Sequence, residues 1–347
     1  MKHSRIQLLA FAALVVILLS GCPKTNKKVL YLYNWTYYTP QVILDEFKEA
    51  TGITVIVDNF ASNEEMFAKV MASGKGGYDI IFPSADYTSI MIKLGMLHTI
   101  DHSRIPNLKY VSPLVREKAT YDSDMEYSVP YFMGSSGIAV NKSRIKEYDR
   151  DWSIFADTRL KGKMSMLDDM REVMGAALKY LGYDANSTNQ QELQEATNLI
   201  IQQWKPNLVK FDSESFAKSF SQGEFTVVHC YAENVFEEMP EEQWDDIDFF
   251  IPSEGGVMYI DNMVIPKNSK HLDYAYQFIN FIHDPKIYAQ FLDTFHFPST
   301  TNNEAGRYTT TKSYFSEDDL KNSQIITDLG EDLDKYNNLW QVIRYQQ

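Results

Sequence analysis

The sequence predicts an α/β protein whose core is a mostly parallel sheet flanked by helices. Apolar strand patterns at 29–33, 53–57 and 78–82 alternate with amphipathic helix patterns at 40–50 and 63–71. This βαβαβ order is typical of parallel sheets, because two parallel neighbours need a crossover connection that a helix usually supplies. At 347 residues, the chain is also long enough for two domains.

The two helix patterns have clear apolar faces. In the first, Ile43, Leu44 and Phe47 share one face, and Thr51-Gly52 ends the pattern. The second begins at Asn63-Glu64-Glu65, and its apolar positions are Met66, Phe67, Val70 and Met71. We expect these faces to cover the sheet.

The ends of the first and third strands form the predicted binding region. They lead directly into 34–38 and 83–87, two segments rich in aromatic and polar residues. In sheets of this kind, ligands bind outside the carboxyl ends of the strands.

A second unit is predicted from the glycines further along the chain. Gly134 and Gly137 give the backbone conformational freedom just before an apolar run at 138–140. This pattern indicates a first crossing between two units. Gly255-Gly256 and the run 257–261 indicate the return crossing.

The N-terminus has the pattern of an export signal. A basic start precedes an uncharged, mostly apolar run at 6–19, which is too short to span a bilayer comfortably. Leu19-Ser20-Gly21-Cys22 resembles the bacterial lipobox. We therefore expect a signal peptide at 1–21, a lipid on Cys22 and a polar tether at 22–28 that holds the mature protein outside the cytoplasmic membrane. The alternative is a buried helix with an incidental cysteine.

Composition excludes some classes of partner. The chain has 47 Asp plus Glu against 33 Lys plus Arg, and its formal net charge is −14. This acidic balance opposes a phosphate backbone, so we expect no nucleic-acid binding and favour cationic or neutral partners. Once Cys22 carries lipid, Cys230 is the only thiol, so the mature chain can form no internal disulfide.

The sequence lacks the common catalytic and cofactor motifs. It contains no HExxH, CxxC, GxSxG or Walker pattern, and no GxGxxG after a strand. The seven histidines are scattered along the chain. We expect neither a metal site nor a cofactor.

Aromatic residues at or near predicted strand ends could form a box around a ligand. Their faces would pack on methylene groups, at about 0.8 kcal/mol per buried methylene, and attract a cation, at about 0.5 to 2 kcal/mol. The alternative is that these rings belong to the core. The residues are Trp35, Tyr38, Tyr87, Tyr231, Tyr259 and Phe297.

Three carboxylates have two interpretations each. Asp169 and Glu172 have the spacing of a capping box at a helix start, but they could also bind an ammonium group or act as acid and base. Asp261 lies in an apolar run, where a buried carboxylate needs a protein partner or a ligand cation. Spacing alone favours the cap for the first pair and leaves Asp261 open.

Four separated motifs together resemble one family. They are Tyr33-Asn34-Trp35-Thr36-x-Tyr38, Gly77-Tyr78-Asp79 leading to Pro83-Ser84, Asp168-Asp169-x-Arg171-Glu172-Val173, and Gly255-Gly256 through Asp261 to Ile265-Pro266. From about Val29 to Phe297, their order and spacing are similar to those of the bacterial spermidine/putrescine-binding proteins of ABC transporters.

This resemblance implies a two-lobed periplasmic-binding fold of type II, in which each lobe is a mostly parallel sheet flanked by helices. It implies a polyamine ligand, an ABC permease as partner, a monomer and no enzyme activity. We expect one lobe to comprise 29–133 plus 260–305, and the other 134–259 plus 306–347, with the hinge crossings between them.

The resemblance also implies site residues. Trp35, Thr36 and Tyr38 match the family's first ligand-facing loop, and Ser84 matches the loop after the third strand. Asp169, Glu172 and Asp261 match carboxylates that receive amines, which reverses the preference for a cap at Asp169 and Glu172. Because putrescine-preferring members carry a small residue at the position of Asp169, spermidine is favoured over putrescine.

Some positions depart from the family pattern. Tyr231 and Tyr259 replace tryptophans of the spermidine-preferring members, and Phe297 replaces a tyrosine. Asp86 replaces an aromatic or small polar residue and adds a carboxylate to the expected site. Ile326 falls where the family has a glutamine.

Two other functions would use the same kinds of residue, aromatic rings and carboxylates. An extracellular carbohydrate-binding protein or glycosidase also needs aromatic platforms, and a glycosidase needs two carboxyl groups at a set separation. A metal-binding relative of the same fold would need Tyr, His and carboxylate ligands to converge.

Overall fold

The computed structural model describes residues 28–36, 38–73 and 77–345. The predicted signal peptide, the lipid site at Cys22 and the predicted tether up to residue 27 lie outside these residues. Across the described ranges, no helix is both long and apolar enough to cross a membrane.

The described residues form eleven strands and eleven α-helices. The strands are β1 (Val29–Trp35), β2 (Thr54–Phe60), β3 (Ile80–Ile81), β4 (Ser128–Ser135), β5 (Gly137–Asn141), β6 (Met164–Met166), β7 (Leu208–Phe211), β8 (Val227–Cys230), β9 (Ile247–Phe250), β10 (Val257–Val264) and β11 (Gln324–Ile325). The α-helices are α1 (Gln41–Thr51), α2 (Asn63–Ser73), α3 (Ala85–Lys93), α4 (Pro113–Lys118), α5 (Met170–Tyr180), α6 (Gln190–Leu199), α7 (Phe216–Ser221), α8 (Ala232–Glu238), α9 (Leu272–Ile282), α10 (Pro285–Phe295) and α11 (Leu333–Tyr345).

The first part of the chain forms the predicted βαβαβ unit. Strand β1 pairs in parallel with β2 and with β3, and α1 and α2 connect them. Helix α1 buries Ile43, Leu44 and Phe47, the face that the sequence predicts. It ends at Gly52, which has a φ of +70° and donates its backbone N–H to the Lys48 carbonyl at 2.8 Å.

Two sheets confirm the α/β class, but both sheets are mixed. The first has the order β11-β10-β3-β1-β2, with β4 also on β10, and the second has the order β7-β6-β8-β5-β9. Parallel pairs outnumber antiparallel pairs only slightly among the described strands. The parallel pairs are β1-β2, β1-β3, β10-β11, β6-β7 and β6-β8, whereas β10 runs antiparallel to β3 and β4, and β5 runs antiparallel to β8 and β9.

The antiparallel pairs come from the two crossings between the sheets. The chain passes from β4 into β5 and returns from β9 into β10, so the outgoing and incoming strands lie side by side in each sheet. Both crossings lie where the glycines predict them. Gly255 has a φ of +95°, and a Cβ there would lie 2.1 Å from the Asn322 carbonyl oxygen, so this turn requires glycine.

A short strand lies near the C-terminus. Gln324 and Ile325 pair in parallel with Val257 and Met258, at the end of β10 nearest the crossing, so β11 belongs to the first sheet. Helix α11 packs in the core of the second sheet. The lobe boundaries stay a prediction.

Candidate functional site

A cavity of about 850 Å³ lies between the two sheets. Its walls come from the segments after β1 and β3 on one side, from the starts of α5 and α8 on the other, and from β10 at the crossing. Eleven of the twelve predicted ligand residues line it, namely Trp35, Thr36, Tyr38, Ser84, Asp86, Tyr87, Asp169, Glu172, Tyr231, Tyr259 and Asp261.

Phe297 is the exception, because it does not line the cavity. Its side chain is 3 % exposed and stacks on Phe132 with the ring centroids 4.0 Å apart. Phe291 and Phe295 pack around it. Helix α10 ends at His296 in the left-handed conformation, and the next residue enters the aromatic core behind the cavity. The expected contact between Phe297 and a ligand therefore has no geometric support.

The first sheet contributes aromatic rings that are fixed by their neighbours. Trp35 ends β1 opposite Phe60 of β2, and the two ring centroids are 4.6 Å apart. Tyr87, in the first turn of α3, packs edge-on against Phe67 of α2 at 5.7 Å. Parallel pairing of β1 with β2 thus fixes one wall of the cavity.

Asp261 is a buried carboxylate with a neutral partner. It lies on β10 at a register shift and is 5 % exposed. Ser84 Oγ donates a hydrogen bond to Asp261 Oδ1 at 2.7 Å, and no Lys, Arg or His of the described residues pairs with this carboxylate. Burial raises the pKa of Asp261 to about 7, although the Ser84 hydrogen bond opposes the rise.

Asp169 and Glu172 make half of the predicted capping box. Asp169 caps α5, because its Oδ1 accepts from the backbone N–H of Arg171 at 2.8 Å and of Glu172 at 3.1 Å. Glu172 does not reach back to Asp169. Its Oε2 accepts from Ser136 Oγ at 2.5 Å, and its Oε1 accepts from the Tyr231 hydroxyl at 3.0 Å.

The two carboxylates therefore lie together at the cavity. Burial raises the pKa of Asp169, and the neighbouring charge of Glu172 raises it further. Asp169 is thus a helix cap that also lines the cavity, and its role in binding an amine stays a prediction.

Tyr231 and Tyr259 face each other across the crossing. Their ring centroids are 5.7 Å apart and their planes meet at 80°. Gly134 makes room for Tyr259, since a Cβ at residue 134 would lie 2.6 Å from the Tyr259 hydroxyl oxygen. These two rings are therefore wall residues of the cavity and not simply core.

Three charged residues of the cavity, Glu64, Arg171 and Glu233, escaped the sequence analysis as site residues. Glu233, in the first turn of α8, lines the cavity, and burial raises its pKa to about 7. Arg171 also lines it, and its guanidinium donates to Asn186 Oδ1 at 2.7 Å and to the Thr327 carbonyl at 3.1 Å. The position of Glu233 after the carboxyl end of β8 is the signal that could have identified it.

The cavity is strongly acidic. Among the described residues, six carboxylates and one arginine line it; the carboxylates are those of Glu64, Asp86, Asp169, Glu172, Glu233 and Asp261. Burial raises the pKa of Asp86 to about 6, while the charge of Arg171 opposes the rise. In the described part of the chain, no group of three or more His, Cys, Asp or Glu side chains is arranged to hold a metal ion. Aromatic walls and unpaired carboxylates suit an organic cation.

Comparisons with known proteins give relatives of the whole chain. A family model described as bacterial extracellular solute-binding protein matches residues 43–316. The chain is 31 % identical over 352 residues to the spermidine/putrescine-binding periplasmic protein of Escherichia coli, covering 99 % of each chain. It is 35 % identical over 283 residues to a putrescine/cadaverine-binding protein of Pseudomonas aeruginosa, covering 78 % of this chain and 79 % of the relative.

A solved structure is similar along its full length. The crystal structure of the TpPotD lipoprotein of Treponema pallidum superposes with a TM-score of 0.89 at 49 % identity, covering 92 % of this chain and 100 % of the other. A spermidine/putrescine ABC transporter substrate-binding protein from Streptococcus pneumoniae superposes with a TM-score of 0.83 at 27 % identity, covering 91 % of this chain and 99 % of the other.

Proposed function

Because the chain belongs to the family of bacterial extracellular solute-binding proteins, we propose that it captures a polyamine between its two sheets and delivers it to an ABC permease. Members of this family are substrate-binding components of transport and not enzymes, so the glycosidase alternative is not retained. The observation that carries the proposal is the buried carboxylate of Asp261, which lines an aromatic cavity and forms no ion pair with a Lys, Arg or His of the described residues.

The rings and the carboxylates would hold different parts of the ligand. Faces of Trp35, Tyr231 and Tyr259 pack on methylene groups, and the carboxylates receive ammonium groups through charge-assisted hydrogen bonds. Glu172 is already oriented by donors from Ser136 and Tyr231. Binding therefore needs little rearrangement of this carboxylate.

Ligand binding would favour closure of the two lobes. The proposed site draws Asp261 and Ser84 from the first sheet, and Asp169 and Glu172 from the second. A ligand shifts a conformational equilibrium only through contacts that differ between the two states. A polyamine that contacts both sheets meets this condition.

We favour spermidine over putrescine as the ligand. The cavity has one carboxylate group at Asp169 and Glu172 and another at Asp261, with Asp86 as a further acceptor. A shorter diamine would leave a buried carboxylate unpaired, at a cost of about 1 to 3 kcal/mol or more for a charged group. The relatives named above include binders of spermidine and of diamines, which supports a polyamine ligand without separating the two.

The protein would act outside the cytoplasmic membrane as a lipid-anchored monomer. The lipobox-like sequence before Cys22 supports this, and so does the similarity to a structure described as a lipoprotein. Metabolic labelling with a radioactive fatty acid tests the anchor. We expect label on the wild type and none on Cys22→Ala.

Isothermal titration calorimetry on the mature protein tests the ligand class. The protein is first unfolded and refolded to remove any ligand it carries, and is then titrated with spermidine, putrescine and neutral sugars. We expect saturable one-to-one binding of polyamines that a chelator does not change. A sugar response without polyamine binding would overturn the proposal, and loss of binding in chelator would indicate a metal-binding protein.

A further inference from the structure

Glu233 is a cavity carboxylate without a partner. It follows Tyr231 and Ala232 at the start of α8, is half-buried and lines the cavity from the side of the second sheet. Within the part of the chain that the structure describes, its carboxylate makes no hydrogen bond or ion pair with another residue. One turn later, Glu237 is exposed to solvent. Burial of an unpaired carboxylate costs free energy, so its position needs a reason.

Asp261 lies close enough to Glu233 for their charges to interact. The negative charge of Asp261 raises the pKa of Glu233, and burial raises it more. The polar groups that face this pair are the hydroxyls of Tyr38, Tyr259 and Ser84, together with the carboxylate of Asp86. No Lys, Arg or His of the described residues pairs with either carboxylate, so a cation between them would relieve their repulsion.

We infer that Glu233 and Asp261 together form the subsite for one terminal primary ammonium group of the ligand, an inference that rests on the proposed polyamine-binding function. A primary ammonium has three N–H donors. The two carboxylates and a tyrosine hydroxyl at this end of the cavity supply three acceptors. A secondary amine offers fewer donors, and an acetylated amine has no charge to neutralise the pair.

This subsite differs from the site around Glu172. Glu172 receives hydrogen bonds from Ser136 and Tyr231, and the charge of Arg171 acts on Asp169 and Glu172. Glu233 and Asp261 pair with no cation among the residues that the structure describes. They also come from opposite sheets, since Asp261 lies on β10 and Glu233 follows β8. One ammonium group held by both would therefore connect the lobes directly.

A double-mutant cycle tests this assignment. Spermidine affinity is measured for the wild type, Glu233→Gln, Asp261→Asn and the double variant, with Glu237→Gln as a control that removes a charge from the same helix. We expect Glu233→Gln to weaken binding roughly 10- to 100-fold, and Glu237→Gln to change it less than about threefold. Because the two carboxylates share one ammonium group, the loss in the double variant should be smaller than the product of the single losses.

Acetylated ligands test whether the subsite selects an unblocked amine. Each of the two mono-acetylated spermidines is titrated into the wild type and into Glu233→Gln. The isomer blocked at the end held by this subsite should lose more affinity than the other in the wild type, and Glu233→Gln should narrow that difference.

The outcomes separate this inference from the function on which it rests. If the wild type binds spermidine and Glu233→Gln matches it within threefold, the inference is overturned and the function stands. The inference would also be overturned if the loss of spermidine affinity in the double variant equalled the product of the single losses. The same holds if the affinity difference between the two acetylated isomers were unchanged in Glu233→Gln. Absence of saturable polyamine binding by the folded wild type would overturn both.

Discussion

The carboxylate of Glu172 accepts a hydrogen bond from the Tyr231 hydroxyl at 3.0 Å, although its spacing from Asp169 is that of a capping box. This bond turns Glu172 away from its own helix and toward the cavity. The first turn of α5 therefore keeps one capping residue and makes the other available to a ligand.

Glu172→Gln should weaken polyamine binding without unfolding the protein. The amide keeps the shape of the side chain but loses its charge, and a hydrogen bond to a charged group contributes about 1.5 to 3 kcal/mol. We expect the dissociation constant from calorimetry to rise roughly 10- to 100-fold. The exposed Glu147→Gln is the charge-matched control. An affinity equal to that of the control would remove Glu172 from the site.

Two variants of Asp169 separate its capping role from its binding role. Asparagine caps a helix about as well as aspartate, whereas alanine costs about 0.5 to 2 kcal/mol of stability. We expect Asp169→Asn to keep the free energy of unfolding and lose polyamine affinity, and Asp169→Ala to lose both. Chemical denaturation and calorimetry measure the two effects. Full affinity in Asp169→Asn would mean that this residue is only a cap.

Much of the fold and of the cavity could be predicted because both follow from local patterns. The alternation of strands and helices up to β3 predicts the first sheet, and the carboxyl ends of its strands place Trp35 and Ser84 at the cavity. The glycines at 134 and 255 mark the crossings, because a Cβ would collide with the Tyr259 ring at Gly134 and with the backbone of Asn322 at Gly255.

The rest depends on tertiary contacts, for which local patterns give at most an ambiguous signal. Strand β11 is only two residues long and forms because β10 offers it an edge. Glu233 resembles an ordinary acidic residue in the first turn of a helix, where such residues favour the helix dipole. The orientation of Phe297 depends on the left-handed end of α10. The resemblance to known proteins aligns Phe297 with a ligand-binding position in the sequence but does not determine the orientation of its side chain.

Phe297→Tyr should lower stability and leave ligand binding unchanged. The ring is 3 % exposed and packed against Phe132, so a new hydroxyl there would be buried without a partner. Such burial costs about 1 to 3 kcal/mol. Thermal unfolding should show the loss, while calorimetry should give a spermidine affinity within threefold of the wild type. A change in ligand preference with unchanged stability would place Phe297 at the ligand instead.

Polyamine affinity should rise as the pH is raised from 6 to 8. Burial holds the pKa of Asp261 and of Glu233 at about 7, and that of Asp86 at about 6, in the ligand-free protein. A bound cation favours the ionised carboxylates, so binding below these pKa values must release protons. Titrations at pH 7 in two buffers with different ionisation enthalpies measure that release directly.

The stability of the ligand-free protein should change in the opposite direction. Since the folded pKa of Asp261 lies above its ordinary value, the folded state binds more protons than the unfolded state between about pH 4 and 7. Its stabilisation by protonation is therefore present at low pH and lost as the pH rises through 7. We expect the melting temperature of the ligand-free protein to fall between pH 6 and 8, and this fall to be smaller in Asp261→Asn. A fall of equal size in that variant would assign the pH dependence to other groups. In the wild type, a saturating concentration of spermidine should reverse the fall in melting temperature, because the ligand pairs with the ionised carboxylates.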